Sequence, residues 1–176
     1  MIDMTVHYDH TTYGDDGPGW QYDDGGRSAV GYKGSTGDCV TRAIAIAAEL
    51  PYQAVYDALH VRTKVDRATM AKLELSYGAN AKRHASPRDG VFRKVYESFL
   101  KDLGWTWTPT MTIGSGCQVH LLREELPSGR IICKVSKHLV AVIDGVVHDS
   151  HDCSRGGKRC VYGFYAKAKA DILDAS

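Results

Sequence analysis

Apolar residues between positions 39 and 60 repeat with the spacing of a helix. Asp38 comes just before them and is a favoured residue for capping a helix N-terminus. A first helix is therefore predicted from Cys39 to about Leu50. Pro51 suits the first turn of a second helix, which we expect over 52–60. The apolar face of the first helix contains Val40, Ala43, Ile44, Ala47 and Leu50.

Two further helices are expected before residue 126. Asp89 is suited to cap the third helix and Gly104 to end it. A fourth, short helix is expected between Thr112 and Glu125, with Val119 and Leu122 facing inward. The buried face of the third helix contains Val91, Val95, Phe99 and Leu103.

The segment 61–88, between the second and third helices, is basic and less regular. A charge run of this kind is typical of a solvated loop with a short helix. A lid over a site, or a docking surface for an acidic partner, is the functional alternative. The sequence leaves both interpretations open.

The hydrophobic period changes to two in the later part of the chain. The run Trp105-Thr106-Trp107 alternates, and strands are predicted over 130–135, 138–143, 146–149 and 160–165. Asp144-Gly145 lies between two of them and is a strong signal for a hairpin turn. Helices followed by antiparallel strands predict an α+β fold. The Ala/Lys-rich tail is expected to form a short helix.

Length and composition indicate one domain over 1–176, with residues 1–30 as short strands or a peripheral arm. A net charge of +1 gives no general case for binding nucleic acid or an anionic membrane. No apolar run approaches the ~20 residues of a membrane span, and the first residues do not resemble a secretory signal. Five scattered cysteines predict a reduced, cytoplasmic protein without a disulfide framework.

Three residues in different parts of the chain are suited to act together. Cys39 opens the first helix, where free backbone N–H groups and the helix dipole favour a thiolate. His138 opens one strand of the predicted hairpin, and Asp149 ends the other. Both therefore lie near the same end of the sheet. In cysteine catalysis an imidazole accepts the thiol proton, and a third polar side chain orients the ring.

These motifs resemble those of the papain-like cysteine peptidase superfamily, which also includes double-glycine leader peptidases and transglutaminase-like enzymes. The similarity covers the loop Gly34-Ser35-Thr36-Gly37-Asp38-Cys39 and the strands that carry His138 and Asp149. It implies a papain-like fold and a Cys39-His138-Asp149 triad. It also implies hydrolysis of a peptide, isopeptide or other amide in a peptide or protein substrate, through a thioester and without a cofactor. The alternative is a catalytically inactive papain-like domain that binds a protein partner.

The chain departs from this family at two positions near the cysteine. Members usually have a glutamine six residues before the cysteine, and its side chain completes the oxyanion hole. This chain has Lys33 there, whose ammonium can donate a hydrogen bond to an oxyanion. The backbone N–H of Cys39 is the second expected donor. Val40 replaces the aromatic residue that usually follows the cysteine.

A second group of potential ligands lies between residues 148 and 160. These side chains include soft ligands that suit a tetrahedral zinc ion, although no CxxC pair is present. As the alternative to a metal, Cys153 and Cys160 are expected to form a reduced pair across the turn at Gly156-Gly157. The four residues of the zinc alternative are His148, His151, Cys153 and Cys160.

Overall fold

A six-stranded mixed sheet covered by helices is the framework of the computed structural model, which describes residues 19–34, 36–72 and 86–167. The fold is α+β. The strand order is β1-β5-β4-β3-β6-β2. The strands are β1 (Trp20–Tyr22), β2 (Trp105–Pro109), β3 (Arg130–Val135), β4 (His138–Ile143), β5 (Val146–Asp149) and β6 (Val161–Lys167). The helices of the described part are α1 (Cys39–Ala48), α2 (Tyr52–Lys72) and α3 (Arg93–Asp102), with a 3₁₀ turn at Arg123–Glu125.

The hairpin β4–β5 has the bounds that its apolar pattern predicted. Ile143 pairs with Val146 and Ala141 with His148. Asp144 and Gly145 have φ values of 49° and 80°, as the favoured two-residue hairpin turns require. Continuing this register towards the open end brings the start of β4 beside the end of β5. The predicted hairpin is confirmed.

Both faces of the central strands are buried, which explains their nearly continuous apolar runs. On one face, Ile132, Leu139 and Ala141 pack against α1, α2 and α3 in a single core. On the other face, Leu121 packs in a second core with Cys133, Val140, Val142 and Val147. Burial on the first face holds α1 across β4, so that the first residue of α1 lies at the end of the sheet where β4 starts.

Three helix predictions are wrong in their bounds or existence. The second helix continues past residue 60 to Lys72, so the basic segment begins as helix, and residues 73–85 lie outside the described part. The third helix begins at Arg93 after Phe92, because Asp89 accepts a hydrogen bond from Ser86 and does not cap it. The predicted fourth helix is extended chain followed by one 3₁₀ turn, and Leu121 is its fully buried residue.

A disulfide between Cys117 and Cys160 lies in the segment that was predicted to be the fourth helix. It fastens the segment before Leu121 to the chain that leads into β6, and the backbone bridge between His120 and Cys160 continues the contact. The expected reduced pair of Cys153 and Cys160 is therefore wrong. Disulfides persist mainly in oxidising compartments, so a cytoplasmic location stays a prediction.

The described part of the first 30 residues contains a strand. β1 pairs in parallel with β5, and the Trp20 indole N–H donates to the backbone oxygen of Asp149 at 3.2 Å. The chain then turns through Gly25-Gly26, where the Asp23 and Asp24 carboxylates accept backbone N–H groups. Residues 1–18 lie outside the described part, as does the tail at 168–176 that was expected to be helical.

Candidate active site

Cys39 is the first residue of α1 and its side chain is partly exposed. The first backbone N–H groups of a helix have no partner within the helix, so they point towards any group at its N-terminus. Cys39 also lines a cleft of about 650 Å³ between α1, α3 and the start of β4. The other two free cysteines of the described part, Cys133 and Cys153, are buried. Cys39 is therefore the free thiol that a ligand in the cleft can reach.

His138 and Asp149 are joined by a short hydrogen bond. The ring N–H at Nε2 of His138 donates to Oδ2 of Asp149 at 2.5 Å. A carboxylate can only accept, so this contact assigns the proton of His138 to Nε2 and leaves Nδ1 for another partner. The same ring is the hydrogen-bond partner that lowers the pKa of the Cys39 thiol. The structure thus brings the three predicted residues together in the order thiol, imidazole, carboxylate.

The charges of this group favour an ion pair between Cys39 and His138. Burial opposes ionisation of the Cys39 thiol, but the hydrogen bond and charge of His138 outweigh it and lower the pKa of Cys39. Burial likewise opposes protonation of His138, yet the hydrogen bonds that its ring makes to Asp149, Cys153 and Cys39 raise its pKa to about 11. A thiolate beside an imidazolium is the resting state that activates a cysteine nucleophile.

Arg42 is a residue of the site that the sequence reasoning missed. It is the fourth residue of α1, is only 5% exposed, and bridges two buried carboxylates. Its Nη2 lies 3.0 Å from Oδ1 of Asp149, and its Nη1 contacts Oδ1 of Asp38. The available signal was a charged residue within a largely apolar helix. Arginine is almost never buried without a partner, so this position indicated a buried acidic partner.

Asp38 belongs to the same buried network. It precedes α1 as predicted, but its side chain makes no capping hydrogen bond. Its carboxylate instead contacts Arg42, accepts from the Tyr52 hydroxyl at 2.7 Å, and lies 3.2 Å from Nε of Arg27. Asp149 is therefore held from one side by His138 and from the other by an arginine that is itself fixed. Although burial alone would raise it, the pKa of Asp149 is lowered by His138 and Arg42.

Lys33 is not placed where the predicted oxyanion donor is needed. Its side chain is exposed, its backbone oxygen accepts from Arg88 at 3.2 Å, and it does not line the cleft at Cys39. The polar side chains that do line this cleft include those of Thr36, Tyr96 and Lys134. The backbone N–H of Cys39 keeps its expected position at the start of α1.

The four residues of the zinc alternative are not gathered into one site. Cys160 is bonded to Cys117, and His148 lies 3.3 Å from Asp23 through Nδ1. Ligand atoms of Cys153, His138 and Asp149 do lie within 4.8 Å of one another. In this cluster Cys153 is a hydrogen-bond partner of the His138 ring. His151 lies against the same ring, with centroids 5.4 Å apart.

Comparisons of the chain with family models, curated proteins and solved structures found no match. Within residues 19–34, 36–72 and 86–167, none of the helices combines the length and apolar character that crossing a membrane requires.

Proposed function

We propose that this chain is a papain-like cysteine hydrolase that cleaves an amide or isopeptide bond. The observation that carries the proposal is the short hydrogen bond of His138 to Asp149, made on the ring that also bonds the Cys39 thiol. The Cys39 thiol is the nucleophile, the His138 imidazole is the base, and the buried Asp149 carboxylate is the group that orients the base. The cleft beside Cys39 has room for a peptide-sized acyl group.

The reaction begins with attack of the Cys39 thiolate on the substrate carbonyl carbon. An S–C bond forms, and the carbonyl electrons move to oxygen. When the C–N bond breaks, the imidazolium of His138 gives its proton to the leaving amine, and a thioester remains. Water then attacks the thioester while His138 accepts its proton. The C–S bond then breaks, which releases the acid and leaves the Cys39 thiolate beside the imidazolium of His138, as at the start.

Asp149 and Arg42 support these steps without touching the substrate. The carboxylate fixes the ring orientation and stabilises the imidazolium, as the third member of a triad does. Arg42 prevents the carboxylate from turning away by holding its other oxygen. The N-terminus of α1 offers the Cys39 backbone N–H to the developing oxyanion, where a preorganised donor stabilises charge best.

Alkylation tests the proposed nucleophile directly. We expect iodoacetamide to modify Cys39 at pH 6 about ten-fold faster than free cysteine, because a lowered pKa keeps the thiolate populated where an ordinary thiol is protonated. His138→Ala is expected to reduce this rate by about ten-fold or more, because the stabilising imidazolium is lost. Peptide mapping by mass spectrometry identifies the modified residue, and the buried Cys133 serves as an internal reference.

His148→Ala is the matched control, because His148 lies in β5 and makes the other His–Asp contact of the described part, with Asp23. It should leave the rate of Cys39 unchanged. A Cys39 that reacts no faster than free cysteine, or that is indifferent to His138→Ala, contradicts the hydrolase and favours the second candidate. That candidate is a catalytically inactive domain that uses the same cleft to bind a protein partner.

The cluster of His138, Asp149 and Cys153 calls for a separate metal measurement. We expect purified protein to contain no stoichiometric zinc, because Asp149 already satisfies Arg42 and His138 and the cluster supplies three protein ligands where structural zinc uses four. Elemental analysis of the native chain and of Cys153→Ser checks this. One zinc per chain, lost in Cys153→Ser, would replace the triad by a metal site.

A further inference from the structure

The side chains that line the cleft at Cys39 carry mostly positive charge. Asp89 is the one carboxylate residue among the described lining residues, and its carboxylate accepts a hydrogen bond from Ser86 at 2.8 Å. A cleft with one sign of charge attracts ligands of the opposite sign and raises their local concentration. The cationic residues of the lining are Arg27, Arg42, Arg93, Lys134 and Lys137.

The three arginines of this lining are already neutralised by the protein. Arg42 bridges Asp38 and Asp149, Arg27 lies against Asp38, and Arg93 contacts Glu97 at 2.7 Å. Each guanidinium therefore contributes little net charge to a ligand. The uncompensated charge of the cleft comes from the two lysines.

Within the described part of the chain, neither Lys134 nor Lys137 forms an ion pair, and Glu97, whose charge acts on Lys134, is paired with Arg93. The Lys134 ammonium is half-buried and donates to the Tyr96 hydroxyl at 3.5 Å. Burying part of a cation costs free energy, and burial together with the charge of Arg93 lowers the pKa of Lys134 despite the opposing charge of Glu97. A bound anion would recover that cost.

Lys137 is placed by the turn that precedes the catalytic histidine. It has a φ of 55°, occupies the tight turn between β3 and β4, and directly precedes His138. Lys134 pairs with Leu139 on the neighbouring strand, so the two lysines flank His138 along the hairpin β3–β4. Both lysines line the same cleft as Cys39.

We propose that the cleft selects a peptide with an aspartate or glutamate side chain beside the bond that is cleaved, and that Lys134 and Lys137 bind its carboxylate. This inference rests on the proposed function, since it assumes that an acyl group is delivered to Cys39. It adds a substrate class that the triad by itself does not define. A carboxylate between two ammonium groups gains charge-assisted hydrogen bonds and compensates both cations.

Two peptide acyloxymethyl ketones that differ only in an aspartate or asparagine next to the ketone test the proposal. Both side chains have the same shape, so the ratio of their labelling rates isolates the charge. We expect the aspartate probe to label Cys39 about ten-fold faster in the native chain. The preference should fall to about three-fold in Lys134→Gln or Lys137→Gln, and to about one in the double variant. Rates are measured at low salt and repeated at high salt, where the preference should shrink.

Lys101→Gln provides the control for a change of overall charge, because Lys101 is exposed near the end of α3 and does not line the cleft. It should keep the full preference for the aspartate probe. Equal labelling by both probes, or failure of both probes where iodoacetamide still labels Cys39 rapidly, overturns this inference and leaves the hydrolase intact. If iodoacetamide also reacts no faster than with free cysteine, the proposed function itself fails.

Discussion

Replacing Arg42 by methionine is expected to reduce the free energy of unfolding by about 3–5 kcal/mol. The substitution keeps much of the side-chain volume but removes the cation that Asp38 and Asp149 share. Both carboxylates are almost fully buried, so neither can regain the lost interaction from water. The effect is a large fraction of the 5–15 kcal/mol by which a typical domain is stable. Urea denaturation followed by circular dichroism measures it.

An exposed ion pair of the same chain provides the matched control. Arg62 contacts Asp102 at 2.7 Å, but both side chains are substantially exposed to solvent. Arg62→Met is therefore expected to cost less than about 1 kcal/mol. If the two substitutions destabilise the chain equally, the buried network of Arg42, Asp38 and Asp149 does not stabilise the fold around the site. Arg42→Lys should lie between them, since one ammonium cannot bridge two carboxylates as a guanidinium does.

The proximity of the three candidate site residues could be predicted because each of them begins or ends a regular element. Cys39 opens the helix, His138 opens β4 and Asp149 ends β5, so the helix and the hairpin register decide their positions. Apolar periodicity and the Asp144-Gly145 turn are local signals, and they were sufficient for these elements. The contact between α1 and β4 could then be expected from burial of their apolar faces.

Contacts between distant parts of the chain could not be predicted in this way. The disulfide joins residues 43 positions apart, and five cysteines allow many pairings. The bridge from Arg42 to Asp149 spans 107 positions and depends on how α1 lies across the sheet. Lys33 shows the opposite error. Its spacing from Cys39 suggested an oxyanion donor, but its side chain is exposed and does not line the cleft.

Asp149→Asn should slow alkylation of Cys39 at pH 6 by about 10- to 100-fold, while the rate above pH 10 changes little. Asp149 stabilises the protonated ring of His138, whose pKa is raised to about 11. Without the carboxylate that pKa falls, and the imidazolium no longer lowers the pKa of Cys39. A rise of about one to two units in the thiol pKa gives this loss at pH 6. At high pH the thiolate is present in both proteins, so their rates converge.

Asp23→Asn is the matched control for this measurement. Asp23 contacts His148 at 3.3 Å on the other side of β5, so the substitution also removes the charge of a His–Asp pair. In this variant the alkylation rate of Cys39 should depend on pH in the same way as in the native chain. If Asp149→Asn lowers the alkylation rate by the same factor at every pH, Asp149 affects only the access of the reagent to the thiol. If the substitution instead shifts the rate profile along the pH axis, Asp149 stabilises the thiolate–imidazolium pair. That result is expected from the contacts that join Arg42 to Asp149 and Asp149 to His138.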